Sequence, residues 1–593
     1  MAKVNIGRHR VVVKPGNQTE HKMCKSIPGA SWNKPLKEYS YPLYSLQTVL
    51  SVFFKLNTLE DVKEAVGTGS FPQKIHDILE NSYMAESLTK LLKETGPGHM
   101  EDKGFLFRHQ QLCREIANHN PRYGFFCEAG TGKTPIALQI IVDDIMASYA
   151  DTSRGSKWLV VCPLSLIRNA WLEDCAKFFP SLKAVSLHGN TAARTRKAFA
   201  IANADVYIIN FESFKVHYDK LVAMGFKGVI VDESSKMKNH KSEITKKLDE
   251  MSKLVDKFYE LSGTPAPNSM LEYFPQIRAI DPSLLGTSFT NFKAKWFYPV
   301  NKGGFDVFEI TEEKKLELVK MIEKRAIFIA KADCLDLPKR MPPVIRDVIM
   351  TPELKKTYNK MKHDLYCAIG DNLVITATTG VTSLGKLNQL TSGIIIDTEN
   401  GAKVHRVSNV KLNALKELLE ELGNQQVIIW ANFREEFVMI KEVLGDNCTT
   451  YNGATGKAEM QPLMDKHYGE GAYEKYRDIG LSDKDMSNKL FVENKVQYMV
   501  ANAASAGHGL TWTNSHTAVY YSLNYSYEQW AQSCDRIDRY TQTVSCSYYY
   551  LLMPGTIDHV IYKCLQNKGS LSKEVLNHLK AKSISGKDEE NDF

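Results

Sequence analysis

Nowhere does this 593-residue chain hold the run of about 18 apolar residues that a membrane span needs, and its start lacks the apolar core of a signal peptide. A protein that stays in the reducing interior of the cell that makes it, with no membrane partner, is therefore expected. The eleven cysteines are scattered and form no C-x-x-C pair, which excludes a zinc ribbon or a disulfide framework and leaves reduced thiols. No segment recurs with a period of 20 to 50 residues, so solenoids and propellers are excluded as well. Neither sign of charge dominates: the formal net charge of +7 favours a polyanionic partner only mildly. What remains is an ordinary globular composition, 43% hydrophobic and 24% charged, and a length that at about 150 residues per domain predicts three or four compact units.

Residues 1–95 read as a first unit. It is basic at its start (Lys3, Arg8, Arg10, Lys14), then aromatic and proline-punctuated, then helical over 46–94, with Thr95-Gly96-Pro97-Gly98 as a break. Beyond it, short β-branched or apolar runs lead repeatedly into loops or helix-like stretches: 124–127, 158–162, 206–210, 229–232 and 259–263. A second set follows at 427–430, 449–452, 497–501, 518–522 and 546–552. This alternation predicts parallel sheets flanked by helices, and two α/β lobes fit it better than one large sheet. The expected division is 100–335 for the first lobe, 336–411 for a linker or brace that includes Leu337-Pro338 and a threonine-rich run at 376–382, and 412–575 for the second lobe.

Glu128-Ala129-Gly130-Thr131-Gly132-Lys133-Thr134 follows one such apolar run and opens a helix-like segment over 135–145, the context a phosphate-binding loop requires. Glycines 130 and 132 let backbone N–H groups, with that of Thr131, curl around an anion. The helix N-terminus adds positive potential, Lys133 neutralises the β and γ phosphates, and the Thr134 hydroxyl ligates magnesium. About a hundred residues on, the run Val229-Ile230-Val231 ends in Asp232-Glu233. There Asp232 would hold magnesium through water, and Glu233 would orient and activate the attacking water. In the second lobe Gln532-Ser533-Cys534-Asp535-Arg536-Ile537-Asp538-Arg539 sets two arginines three apart, on one face if helical, as a γ-phosphate clamp would need; a salt-bridged surface helix is the bland alternative.

These blocks, in this order, resemble the Swi/Snf branch of helicase superfamily 2. Leu106-Phe107-Arg108-His109-Gln110 is similar to its Q motif, which implies that Gln110 reads adenine. Val161-Cys162-Pro163-Leu164-Ser165 with Asn169 and Trp171 resembles motif Ia; Asp232-Glu233-Ser234-Ser235 with Lys238-Asn239 resembles motif II; Ser262-Gly263-Thr264-Pro265 with Asn268 resembles motif III. Ala504-Ser505-Ala506-Gly507-His508-Gly509-Leu510-Thr511 resembles motif V, and 532–539 continuing to Gln542 resembles motif VI. The resemblance implies two RecA-like lobes that bind ATP and magnesium, through Gln110, the loop residues 130–134, Gly509 and Gln532. It also implies that Ser262 and Thr264 couple hydrolysis to motion. Duplex DNA would be held by its phosphates at Pro163, Ser165, Asn210, Ser213, Asn432, Phe433 and Thr511. The chain departs from the pattern at Cys127, where the loop usually begins with glycine, at Ser235, where the box usually carries histidine, and at Tyr540-Thr541 before Gln542.

A second resemblance covers Ile27-Pro28-Gly29-Ala30-Ser31-Trp32-Asn33 and Lys37-Glu38-Tyr39-Ser40-Tyr41-Pro42-Leu43, similar to the HepA-related domain of annealing helicases and phage branch-migration enzymes. It implies a small α+β domain that recognises branched or forked DNA, with Trp32 among its contacts; an α+β domain with a plain aromatic core is the alternative. The polar segment 461–490, with Tyr468, Tyr473, Lys475, Tyr476 and Arg477, reads as a solvated insertion, with a base-stacking wedge as the other reading. The acidic tail 583–593 reads as a disordered solubilising tail, and single-strand-binding or replication proteins are its candidate partners. A monomer is expected. Three functions stand open: a translocase or helicase on branched DNA serving replication, recombination or repair; an ATPase that removes or moves DNA-bound proteins; and a non-catalytic DNA-binding scaffold.

Overall fold

The computed structural model describes residues 3–6, 10–27, 30–42, 46–55, 63–64, 106–149, 156–189, 192–201, 203–302, 305–335, 337–370, 377–397, 403–506 and 510–567. The expected helical run between 65 and 94, the break at 95–98, Gly509 and the acidic tail lie outside these residues. The chain divides into two compact units, 1–301 with 305–336, and 302–304 with 337–593.

The first unit begins with four antiparallel strands, β1 (Lys3–Ile6), β2 (Arg10–Lys14), β3 (Ser31–Asn33) and β4 (Glu38–Pro42), in the order β1-β2-β4-β3. Helices Gln18–Ser26 and Leu46–Phe54 accompany them. Period-2 alternation turns Val11, Val13, Tyr39 and Tyr41 onto Cys24, Ile27, Val49 and Leu50, closing a small core. This is the α+β element expected at the start of the chain.

Seven parallel strands follow: β5 (Arg122–Cys127), β6 (Trp158–Cys162), β7 (Ala184–Ser186), β8 (Val206–Asn210), β9 (Gly228–Asp232), β10 (Lys257–Leu261) and, after a hairpin of β11 (Tyr298–Lys302) and β12 (Phe305–Glu309), β13 (Ala326–Ile329). Their order is β13-β5-β10-β9-β6-β8-β7, every pairing parallel. Helices cover both faces, so the central strands β6, β8 and β9 are buried throughout and read as apolar runs such as Trp158-Leu159-Val160-Val161-Cys162, while the edge strand β7 is half-buried. The far end of helix Lys133–Tyr149 is moored by the buried Asp144, which accepts from Ser156 Oγ and Trp158 Nε1 and pairs with Lys257 (2.9 Å) and Lys227 (3.2 Å). Burial pushes the Asp144 carboxyl up, but these two cations and the Ser156 hydroxyl outweigh it and hold it below the usual carboxylate range.

The second unit is built on β14 (Val344–Asp347), β17 (Val427–Trp430), β18 (Cys448–Tyr451), β19 (Tyr498–Ala501), β20 (Thr517–Tyr520) and β21 (Ser547–Leu552), all parallel, in the order β14-β21-β20-β17-β19-β18. A hairpin of β15 (Ile394–Asp397) and β16 (Lys403–Arg406) precedes β17. The stretch read as a linker contributes to this unit: β14 is its edge strand, and Val348, Leu354, Tyr358, Leu387, Leu390 and Ile394 join its core. The 461–490 segment departs from the solvated insertion predicted for it. Helices Lys457–Tyr468, Ala472–Asp478 and Asp483–Val492 bury Met460, Leu463, Met464, Tyr473, Met486, Leu490 and Phe491 in the same core. The helical spacing of these apolar residues was hidden in the sequence by the many charges between them. Tyr473 is 3% exposed and donates its hydroxyl to Asp483 (2.8 Å), so it is not available as a stacking wedge.

No helix among the described residues is long and apolar enough to cross a membrane. The ten cysteines with described side chains are buried and free of disulfides.

Candidate nucleotide-hydrolysing site

In an all-parallel sheet every strand delivers its loop to the same carboxyl edge, and ligand sites collect there. Along that edge of the first sheet the order of strands puts the loop after β5 (residues 128–134), then the loop after β10 (262–265), then Asp232-Glu233 after β9, then Pro163 after β6, then Asn210 ending β8. Neighbouring strands lie about 4.8 Å apart, so the loop after β5 and the acidic pair stand about 10 Å from each other across β10, room for a phosphate chain.

Two left-handed glycines shape the first loop, Gly130 (φ +88) and Gly132 (φ +82). At Gly132 a Cβ would be strained by the φ and would lie 2.1 Å from Gln110 Nε2, so any other residue would have to displace the Gln110 amide. Gln110, 3% exposed, accepts from Phe107 N (2.8 Å) and donates to the carbonyls of Thr131 and Gly132 (3.2 Å each), while His109 Nε2 lies 2.7 Å from Thr131 O. In this conformation the glutamine expected to read adenine buttresses the loop. Thr131, 1% exposed, donates its hydroxyl to Glu128 O (2.8 Å), and Lys133 Nζ donates to Cys127 O (3.0 Å) and Glu128 O (3.5 Å). Thr134 is half-buried at the start of helix Lys133–Tyr149.

The acidic pair is held by its neighbours. Asp232, 3% exposed, accepts from Trp171 Nε1 (2.9 Å) at one oxygen and from Glu233 N (3.0 Å) at the other. Glu233 is in the left-handed region (φ 58, ψ 57), strained for a residue with a side chain, and strain of that kind gathers at functional sites. Trp171 is fully buried and lies in a π-helical turn, Ile167–Leu172, a rare geometry that also favours functional positions. Its bond to Asp232 joins the motif Ia segment to motif II, a role its place in the sequence did not reveal. Pro163 and Ser165 lie half-buried at the start of that segment.

The loop after β10 leans on the phosphate loop: a Cβ at Gly263 would lie 3.0 Å from Ala129 N, and Ser262 N donates to Phe125 O. Ser262 is fully buried and accepts from Thr264 N (3.2 Å). Below it Glu260 is fully buried; burial pushes its carboxyl well above the usual carboxylate range, while the Ser234 hydroxyl and the Arg122 charge act the other way. Asn210 is 8% exposed, and Ser213 is half-buried with its hydroxyl 3.4 Å from His188 Nδ1.

In the second unit the motif VI residues are arranged otherwise than a continuous helix predicts. The helix Tyr527–Cys534 ends before Asp535, and Arg536 and Arg539 follow on turns. Arg536 is 2% exposed; its Nε donates to Gln532 O (2.9 Å) and its Nη1 to Leu510 O (2.8 Å). Arg539 donates to Asp535 O (3.0 Å) and to Thr511 Oγ1 (2.7 Å), so both arginines bind motif VI to motif V of their own unit. Helix termination explains the change: carbonyls that a longer helix would use are taken by guanidinium groups instead. Gln532 is buried and Thr511 is exposed. Arg340, from the stretch read as linker, pairs with Asp538 (2.6 Å).

Glu436 was not singled out in the sequence. Fully buried, it accepts from Asn432 N (2.7 Å), Phe433 N (3.0 Å) and Ser522 Oγ (2.8 Å), fixing the loop that carries Asn432 and Phe433 after β17. Burial raises its carboxyl, and these donors, with the Ser392 hydroxyl, oppose the rise. A glutamate three residues into a helix that reaches back to the N-terminal N–H groups is the signal that would have found it.

The SNF2-related domain family matches residues 111–418, just over half of the chain. An uncharacterised ATP-dependent helicase of Mycoplasma genitalium is 23% identical over 454 residues, covering 76% of this chain and 40% of its own length. The SWI/SNF-related matrix-associated actin-dependent regulator of chromatin subfamily A-like protein 1 of Drosophila melanogaster is 22% identical over 581 residues, covering 96% of this chain and 68% of its own. This chain thus spans about two fifths of the Mycoplasma protein and about two thirds of the fly protein. Among solved structures, the Sulfolobus solfataricus SWI2/SNF2 ATPase core in complex with dsDNA aligns with a TM-score of 0.35 and 20% identity, over 81% of this chain and 95% of that one. By the match over 111–418 this chain belongs to the SNF2-related family and is a DNA-dependent ATPase.

Proposed function

We propose that this ATPase moves along duplex DNA and acts on branched or forked intermediates, reversing forks, migrating branches or reannealing strands. The observation that carries the motor reading is the carboxyl edge of the first sheet, where the glycine loop, the strained Glu233 and the loop at 262–265 follow three adjacent strands. In this reading the backbone of Gly130, Thr131 and Gly132 receives the phosphates, and Lys133 leaves the carbonyls of Cys127 and Glu128 for the β and γ phosphates. Glu233 orients the attacking water. Thr134 and Asp232 are hard oxygen donors that suit magnesium alongside phosphate oxygens and water, and the ion would neutralise charge on the transferring phosphoryl group. Arg536 and Arg539 are assigned to the γ-phosphate, which requires Arg536 to leave the carbonyls of Gln532 and Leu510 and Arg539 to leave Asp535 O and Thr511; Gln532 and Gly509 are assigned to the nucleotide, and Ser262 and Thr264 to coupling.

Duplex DNA is assigned to Pro163, Ser165, Asn210, Ser213, Asn432, Phe433 and Thr511. Contacts of this kind go to phosphates, so binding is expected to weaken steeply with salt and to ignore sequence. The preference for branches is assigned to the first 95 residues. What supports it is Trp32, 39% exposed, with its ring 4.6 Å from that of Tyr39 and 4.8 Å from that of His21. A partly exposed ring fixed by one T-shaped neighbour, His21, and one tilted neighbour, Tyr39, can serve as a platform on which an unpaired base stacks. The fly alignment, covering 96% of this chain, also extends beyond the motor.

ATPase rates on single-stranded, duplex, forked and four-way DNA, with RNA as control, test this reading. The intact chain is expected to turn over fastest on forked or four-way DNA. Trp32→Ala, or deletion of residues 1–95, is expected to level the forked and linear rates while leaving the linear rate within about twofold, since one stacked base is worth roughly 1–3 kcal/mol. Equal preference before and after the change would favour an enzyme that strips proteins from DNA.

A further inference from the structure

In the acidic box of this chain Ser235 stands where the family pattern has histidine, which raises the question of what else joins the box to the loop at 262–265. A buried relay answers it. Ser234, fully buried and next in sequence to Glu233, donates its hydroxyl to Gln276 Oε1 (2.8 Å). Gln276 Nε2 in turn donates to Pro265 O (2.7 Å) and to Glu272 O (2.8 Å). Pro265 closes the loop whose Gly263 lies against Ala129 of the phosphate loop. One side chain therefore connects the residue after the proposed water-activating glutamate to the loop that leans on the phosphate site.

Gln276 belongs to none of the recognised motifs. It lies on helix Tyr273–Ile280, where Pro275 sits in the first turn at no hydrogen-bonding cost, and it is fully buried between that helix and the sheet. A buried amide with its oxygen and both its hydrogens used has one orientation, because every rotation strands a polar atom out of reach of water. Such a group transmits a shift of one partner to the other. A hydrophobic residue of the same size would fill the space as well and transmit nothing.

We propose that Gln276 is a positioning residue that couples the state of the acidic box to the loop at 262–265, taking the part that a histidine at 235 would otherwise fill. The proposal rests on the assignment of Glu233 and of the 262–265 loop made above. Its consequence is specific: breaking the relay uncouples hydrolysis from DNA and leaves the nucleotide site itself standing.

The test compares wild type, Gln276→Leu, Ser234→Ala, the double variant and Glu233→Gln, all in the full chain. It measures kcat and the KM for ATP with and without saturating duplex DNA, and thermal melting as a check of folding. For Gln276→Leu the DNA-free kcat and the KM are expected within about threefold of wild type and the DNA-stimulated kcat down about tenfold, the size of effect a lost buried hydrogen-bonded contact produces. Ser234→Ala is expected to lower stimulation likewise, and the double variant to do no more than the worse single one, as partners in one interaction should. Unchanged stimulation in folded Gln276→Leu, an equal fall of basal and stimulated rates, or additive losses in the double variant would each overturn the relay. If Gln276→Leu does not fold, Gln276→Met, which keeps the length of the side chain and removes the amide, takes its place, because Ser234→Ala removes not only the bond to Gln276 but also the hydroxyl beside the buried Glu260. Wild-type turnover in Glu233→Gln overturns the site assignment beneath the relay, a result separate from failure of the relay alone.

Discussion

Lys133→Ala is expected to lower DNA-stimulated ATP hydrolysis by about 100- to 1,000-fold, the usual loss when one preorganised electrostatic contact to a developing charge is removed. Glu233→Gln is expected to fall by a similar factor, since a positioned base contributes about 100-fold or more. Neither change should unfold the first unit. Among the described residues Lys133 Nζ donates to two loop carbonyls, Cys127 O and Glu128 O, which water can satisfy, and Glu233→Gln preserves the shape of the side chain. DNA binding without nucleotide should persist in both variants, because the residues assigned to DNA follow other strands. Steady-state ATPase assays and a filter-binding or anisotropy titration on the same preparations check the two halves. A Lys133→Ala enzyme with the wild-type rate would remove the phosphate-loop assignment, and a loss of DNA binding equal to the loss of turnover would mean that the variant had disrupted more than the site.

The largest expected effect on stability lies in the second unit. Lys411 and Asp558 are 1% and 3% exposed and form an ion pair at 2.7 Å; Asp558 also accepts from Thr391 Oγ1 (2.6 Å) and Met553 N (3.2 Å). Removing one member of such a pair leaves a charge stranded in the interior, at a cost of about 3–5 kcal/mol. Asp558→Ala should therefore move the unfolding midpoint of the second unit sharply down. Replacing both residues by apolar ones of similar volume, Lys411→Met with Asp558→Leu, should recover most of the loss, because a buried pair contributes little beyond its own desolvation. Urea titrations followed by tryptophan fluorescence check this, since Trp430 and Trp512 are buried in that core. A single variant as stable as wild type would show that the pair is solvated in solution. The pair also ties the end of the 336–411 stretch to helix Ile557–Asn567 of the second unit.

The parts of this account that were legible in the sequence are those where local chemistry leaves few choices. Five buried parallel strands of the first sheet appear as apolar runs, because a strand covered on both faces cannot alternate. The glycines at 130 and 132 are visible because their positive φ favours glycine over residues with a side chain, and Asp232-Glu233 because two carboxylates at the end of an apolar strand are conspicuous. What could not be read depends on partners distant in the chain. β7 has only three residues and little local signal; β13 is an apolar run, Ala326-Ile327-Phe328-Ile329, but its place beside β5, about two hundred positions earlier, cannot be read locally. Arginine is rarely buried, so the inward turn of Arg536 onto Leu510 O was not foreseeable, nor was the end of the helix at Cys534 that accompanies it. Gln276 looks like any helical glutamine until the carbonyl of Pro265 is found beside it. In 461–490 the three helices were masked by their charges, and the apolar spacing of Met460, Leu463 and Met464 was the clue available.

The proposed function rests on one physical claim, that ATP hydrolysis at the loop around Lys133 drives movement along duplex DNA. Displacement of a third strand from a triplex, on otherwise linear duplex DNA, measures that movement without requiring the duplex to open. The account predicts release of the third strand with ATP, none with a non-hydrolysable analogue, and none from Lys133→Ala. Rapid DNA-stimulated hydrolysis by the wild type with the third strand left in place would contradict it.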